Sequence, residues 1–340
     1  MKVLIVKTSS MGDVIHTLPA LTDAAKRLGD ISFDWVVEES FQEIPAMHPN
    51  VANIISVNIR RWRKNIWRYR HEIKAFKRQL KQTHYDCVID AQGLIKSAWL
   101  TRLVDSKRFG LDSKSIKEPL ASLAYTNRIS VSKGQHAVDR IRQLFAQSLG
   151  YSLVNLSLDY GLSRNQVSPS EQIKRPYVVF LHGTTWSSKH WPEIYWKDLI
   201  AIASNGGYDI YLPWGNEVEK QRAELLCKAE KKAHVLPRSS ITELARLLTS
   251  ANGVVGVDSG LAHLAAACDT AGVTLYGSTS AVLTGTTGKR ITSLQADFTC
   301  SPCLKKNCAY HLDSAVEPAC YQALNPAYVF HNLQKMMAIA

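Results

Sequence analysis

Four short stretches of the chain place acids, hydroxyls and a lysine where an apolar run gives way to a helical pattern. In TSSMGD (8–13) a Ser/Gly loop ends on Asp13, and a helix pattern begins at Val14. Such a strand-to-helix loop suits a phosphate, but a carboxylate repels phosphate. The residues alone leave open why an acid stands there; at a helix N-terminus it would stay ionised. In VVGVDSGLAHLAAA (254–267) an apolar strand ends at Asp258, and Ser259, Gly260 and Leu261 open a helix. First-turn amides would face a phosphate, and Asp258 would hold hydroxyls. Its plain alternative is a helix cap.

HGTTWSSKHWP (182–192) offers Thr184, Thr185, Ser187 and Ser188 beside one cation, Lys189. That set suits a diphosphate leaving with negative charge; a solvated loop lysine is the plain reading. In LPWGNEVE (212–219), Gly215 gives access to backbone and Glu219 accepts from ribose hydroxyls, although a glutamate in a first helical turn is favourable anyway.

A second chemistry lies between Arg60 and Lys81, where ten basic residues meet one acid, Glu72. That local +9 is three quarters of the chain's net +12, and it predicts an anionic partner. Arg60, Arg61, Arg63 and Lys64 read as a loop whose forks grip phosphates and carboxylates. Trp62 and Trp67 suit a lipid headgroup layer, while interleaved aromatics also suit nucleic acid. Ile66, Tyr69, Ile73, Phe76 and Leu80 recur at helical spacing, giving an amphipathic helix with a basic outer face. After another strand, DAQGLIKSAW (90–99) presents Gln92, Gly93 and Lys96, which line a site without doing chemistry. Cys300, Cys303, Cys308 and Cys320 form C-x2-C-x4-C-x11-C. The first pair has metal-ligand spacing, but the rest is not a zinc ribbon, so packed free thiols and no metal are expected.

These loops need a scaffold. Apolar runs at Val3–Val6, Phe33–Val37, Ile54–Val57, Cys87–Asp90 and Lys107–Phe109 predict strands. So do Tyr177–Leu181, Ile210–Leu212, Val254–Val257 and Val273–Tyr276. Several are apolar on both faces, as buried parallel strands are. Helical patterns at Ala137–Ser148, Glu193–Ser204, Glu219–Glu230 and Leu261–Cys268 intervene, so the fold class is α/β with parallel sheets. The rhythm lapses between Asn155 and Pro176, which predicts two doubly wound halves joined near 160–176. Ligands of such sheets bind beyond the carboxyl ends of the strands, and two facing halves make a cleft.

A length of 340 residues favours two domains. No apolar stretch approaches a membrane span, and the run between Lys2 and Lys7 is too short for a signal peptide, so a cytoplasmic protein is expected. Seven scattered cysteines suit a reducing compartment. No G-x-G-x-x-G follows a strand, which disfavours a dehydrogenase.

VKTSSMGDVIHTLPAL, FDWVVEE, IRRWRK, DAQGLIKSAWL, LPWG and VDSGLAHLAAA together resemble the lipopolysaccharide heptosyltransferases of glycosyltransferase family nine. The resemblance implies two Rossmann-like domains in the GT-B arrangement: an acceptor-binding domain over 1–160 and an ADP-heptose-binding domain over 161–325. A C-terminal helix over 326–340 would pack back on the first domain. It implies no cofactor and no metal. The donor would be ADP-heptose, and the acceptor the Kdo of Kdo-lipid A at the cytoplasmic face of the inner membrane, met peripherally and with no nucleic acid involved.

By the same resemblance Asp13 is the general base of an inverting transfer. Lys189, Thr184 and Thr185 hold the diphosphate, Ser259 and Gly260 add amides, Asp258 holds heptose hydroxyls, Glu219 the ribose, and His263 touches the donor. Ser10, Gly12, Arg60, Arg61, Arg63, Lys64, Gln92 and Lys117 fall on the acceptor side. Domain closure would bring Asp13 toward Lys189 and Asp258. Past Tyr276, TCSPCLKKNC resembles tails of other members of the family, so a phosphorylated Kdo and a Kdo disaccharide both stand as acceptors. A transferase adding a later heptose, a sugar-nucleotide epimerase and a polyanion-binding protein are the competing readings.

Overall fold

Val3, Leu4, Ile5 and Val6 are fully buried, as strand residues apolar on both faces must be in a covered parallel sheet. They lie in β1 (Lys2–Val6) of a computed structural model that describes residues 1–162, 173 and 176–339. The chain divides into two compact units, Met1–Leu162 and Ser163–Ala340. The expected junction over 160–176 falls largely outside the described residues.

The first unit adds β2 (Ser32–Glu38), β3 (Val51–Val57), β4 (Cys87–Asp90), β5 (Lys107–Leu111) and β6 (Asn127–Ile129). All pairings are parallel, in the order β3-β2-β1-β4-β5-β6. The second unit holds β7 (Tyr177–Leu181), β8 (Asp209–Leu212), β9 (Ala233–Val235), β10 (Gly253–Val257), β11 (Gly272–Tyr276) and β12 (Ile291–Gln295). Its order is β12-β11-β10-β7-β8-β9, again all parallel. Counted within each unit, the two orders are the same. The chain reverses direction across the sheet between β1 and β4, and again between β7 and β10. At such switch points the strand-end loops part and leave a crevice.

β6, β9 and β12 were not among the sequence-predicted strands. Each is a sheet edge, short or half-exposed, so none needs an unbroken apolar run. Two readings of the basic run are corrected. Arg60, Arg61, Arg63 and Lys64 do not form a loop: they belong to a helix, Ile59–Lys64, capped by Asn58, whose side chain accepts from the Arg61 amide. The following helix runs Arg70–Gln82 and buries Phe76 and Leu80, leaving Ile66 outside it and exposed.

In the second unit Phe180, Trp191 and Trp196 pack with Tyr321, Val329, Phe330 and Leu333 into one core. The apolar face of the Pro326–Met337 helix is thus taken up by the second unit, whatever else it reaches. Trp191 donates to the Leu324 carbonyl at 2.9 Å, which anchors the end of the loop that carries Lys189. Among the described residues no helix is long and apolar enough to cross a membrane.

Candidate functional site

At the end of β1 the chain passes through Thr8, Ser9 and Ser10 into a short helix, Met11–Ile15, with Asp13 in its first turn. The Ser10 amide and hydroxyl each donate to Asp13 Oδ2 at 2.9 Å. Lys7, nearly buried, places its ammonium 3.6 Å from Asp13 Oδ1 and donates to the Ala91 carbonyl at 2.9 Å. Burial pulls the Asp13 pKa upward, but Lys7, the Ser10 bonds and His16 outweigh it and hold the carboxyl at about 2. The expected ionisation is present, with a cause other than the expected helix dipole: a helix of five residues has little dipole, and the neighbouring lysine supplies the charge. The side chain is 46 % exposed, so a substrate hydroxyl has access to it.

β4 ends one strand away on the other side of the switch point. Gln92 reaches across it, its Oε1 accepting from the Thr8 and Ser9 amides at 3.0 Å each. Beneath it the buried Asp90 accepts from the Gln92 and Gly93 amides and from the Tyr125 hydroxyl. Gly93 has a φ of +70°, and a Cβ there would lie 2.9 Å from Ile116. Glu118 accepts from the Ile95 amide at 2.7 Å. The turn carrying the exposed Lys117 is therefore fastened to the Gln92 loop from both sides.

The basic helix shows unequal side chains. Arg61 pairs with Glu72 at 2.6 Å and lies over the Tyr69 ring, whereas Arg60, Arg63 and Lys64 are exposed. Trp62 is not available to a headgroup layer: it is 9 % exposed, donates to Glu72 and packs on Phe76. Trp67 is 81 % exposed.

In the second unit, β7 and β10 end side by side. Asp258, at the end of β10, does not act as a helix cap. Its Oδ2 accepts from Lys189 Nζ at 2.7 Å and from the Thr279 hydroxyl at 2.6 Å, and its Oδ1 lies 3.9 Å from His263 Nε2. Thr184 donates to the Asp258 carbonyl at 3.1 Å, and Thr185 is exposed. Lys189 also lies over the Trp186 ring, while Tyr321 donates to its carbonyl. Ser259 caps the Gly260–Ala267 helix by accepting from the Ala262 amide, leaving the first-turn amides of Gly260 and Leu261 without intrahelical acceptors. Glu219 accepts from the Gly215 amide at 2.7 Å and lies so close to Gly183 that a Cβ there would meet it at 2.9 Å. The LPWG loop thereby abuts the loop after β7.

Each switch point thus gathers its own set. The first holds Asp13, Ser10 and Gln92, with Gly12 in the helical turn; the second holds Thr184, Lys189, Asp258, Ser259, Gly260 and His263, with Glu219 at the neighbouring loop. The sequence reading missed Lys7 and Thr279. A lysine ending an apolar run was the only signal for the first, and Thr279, three residues past β11 in YGST, gave none.

The family model for glycosyltransferase family 9 (heptosyltransferase) matches residues 73–312. The chain is 50 % identical to lipopolysaccharide heptosyltransferase 1 of Pseudomonas aeruginosa, covering 99 % of this chain and 98 % of that one. The likeness therefore continues past Tyr276. The enzyme of the same name from Escherichia coli K12 is 49 % identical, over 85 % of this chain and 92 % of that one. The solved structure of E. coli heptosyltransferase WaaC with ADP-2-deoxy-2-fluoro heptose superposes with a TM-score of 0.85 at 42 % identity, covering 98 % of this chain and 99 % of that one.

Proposed function

The chain belongs to glycosyltransferase family 9, the heptosyltransferases, and from that premise we propose that it moves heptose from ADP-heptose to a Kdo of Kdo-lipid A, with inversion. Relatives named lipopolysaccharide heptosyltransferase 1 and a solved relative holding an ADP-heptose analogue support the substrate class. The observation that carries the mechanism is Asp13, a carboxylate kept ionised yet half-exposed at the end of β1.

The step is one displacement. An acceptor hydroxyl oxygen attacks the anomeric carbon, its proton passes to Asp13, and the bond from that carbon to phosphate breaks with its electrons leaving on ADP. A carboxylate at about 2 is a weak base. It suffices where the sugar is cationic in the transition state, because the attacking hydroxyl turns acidic only late.

Lys189 answers the difficulty of an acid beside a diphosphate. It neutralises Asp258 before donor arrives, and then offers its charge to the leaving phosphates. Asp258 keeps Oδ1 for heptose hydroxyls. Glu219, already bonded to Gly215, has acceptor capacity left for the ribose. Arg60, Arg63 and Lys64 receive the acidic acceptor, and Trp67 with Ile66 rests in the headgroup layer at the cytoplasmic face of the inner membrane.

ADP release from ADP-heptose, measured with and without Kdo-lipid A, tests the reading. Acceptor-dependent release is expected, and release equal in both conditions would remove the transferase assignment.

A further inference from the structure

Residues 296–318 contain neither helix nor strand. A segment of that length without regular structure is uncommon inside a compact unit and needs something to hold it. Four of the chain's seven cysteines fall in or beside it, and all four line one small cavity of about 110 Å³. Cys300, Cys303, Cys308 and Cys320 share its wall with Phe298 and Tyr310, whose rings stand edge to face 5.1 Å apart. None of the four is in a disulfide. Cys320, half-buried, faces this cavity with the other three. Cys227 and Cys268 do not line it.

We propose that these four thiols are the ligands of one structural thiophilic cation, zinc or ferrous iron. Sulfur ligands select this class of metal, and four cysteines complete a closed tetrahedral shell with no position open for chemistry. Among the described residues no three metal-binding side chains are already gathered as a ligand set. Binding therefore draws the thiols in from the cavity wall and releases their protons to solvent. Four thiolates around a divalent ion carry net negative charge, and Lys305 lies on the same wall to offset it.

The metal would act on the donor loop through the backbone, not on the reaction itself. Ser188, next to Lys189, lines the same cavity and donates its hydroxyl to the Lys305 carbonyl at 2.5 Å and its amide to the Lys306 carbonyl at 3.1 Å. Ser187 donates to Asn307 Oδ1 at 2.9 Å, and the Leu304 amide donates to the Ser278 carbonyl at 2.7 Å. Ser278 precedes Thr279, the partner of Asp258. A fixed 300–308 segment therefore holds Lys189 and Thr279 in place.

The site can be tested without assaying transfer. Untagged wild-type protein, purified under reducing conditions without chelator, would carry one zinc or iron per chain by elemental analysis. Cobalt exchanged into it would give sulfur-to-cobalt charge-transfer absorption. Cys303→Ser and Cys320→Ser would lose both signals, and Cys227→Ser would keep them. Should the two serine variants misfold, the wild type decides alone, because added zinc would protect four thiols from a thiol reagent. Metal-free wild type with no cobalt band and no zinc-protected thiols would overturn the proposal. So would a metal retained at full occupancy in both serine variants.

Discussion

Asp13 and Lys7 stand 3.6 Å apart, and that spacing governs how the carboxylate behaves as a base. Replacing Asp13 by Asn keeps the Ser10 bonds feasible but removes the proton acceptor. The turnover number should fall about 10²–10⁴-fold, the usual worth of a general base, while ADP-heptose binding by calorimetry stays unchanged. Unchanged turnover would move the base elsewhere. Lys7→Met removes the opposing charge, so the Asp13 pKa rises from about 2 while burial goes on raising it. Asp13 must be ionised to act, so the acid limb of the kcat/KM profile should move to higher pH in the variant. A limb that stays in place would show that Lys7 does not set the ionisation. Neither role was legible locally: Asp13 stood out as an acid in a phosphate-type loop, but Lys7 is fixed beside it only once β4 brings the Ala91 carbonyl alongside.

The elements repeat that lesson. Central strands were legible because they are apolar on both faces, whereas β6, β9 and β12 escaped because an edge strand can be polar. The Ile59–Lys64 helix escaped because four cations within it drew attention from the capping asparagine, Asn58, just before them. Trp62 looked like a surface aromatic, yet it is needed to close the core beside Phe76. Strand-end loops were legible as sites on one sheet edge, but which side chain of one touches which backbone of another was not. Contact between Gly183 and Glu219 yields a prediction at this scale. An added methyl in Gly183→Ala would meet the Glu219 carboxyl at 2.9 Å and displace it from its place at the LPWG loop. Steady-state kinetics should show KM for ADP-heptose raised several-fold, with KM for the acceptor unmoved. A change confined to the acceptor would contradict the ribose role of Glu219.

Across the whole molecule, two units with the same strand order also share a response to acid. Each buries a neutral histidine: His48 in the first, His182 in the second. His48 accepts from the Asn50 amide on Nδ1, so its proton sits on Nε2, 3.0 Å from the Thr22 hydroxyl. Charging it would set a second N–H against the Asn50 amide. Burial pushes its pKa down to about 4, although Asp159 pulls the other way. His182 is pushed down to about 4 by burial, with Arg222 and His190 adding to the effect. Between the ordinary value of 6.5 and about 4 the unfolded chain takes these protons and the folded chain does not. The stabilisation is therefore complete above about 6.5 and declines as pH falls toward 4, by about 3 kcal/mol per histidine at most. Against a usual total of about 5–15 kcal/mol, that loss is large. Urea midpoints measured across about pH 4–7 should fall steadily on the acid side, with both units weakened over the same window. His48→Gln, which cannot titrate, should flatten the part of the decline that belongs to the first unit. Midpoints independent of pH over this range would show that neither histidine is held neutral by folding.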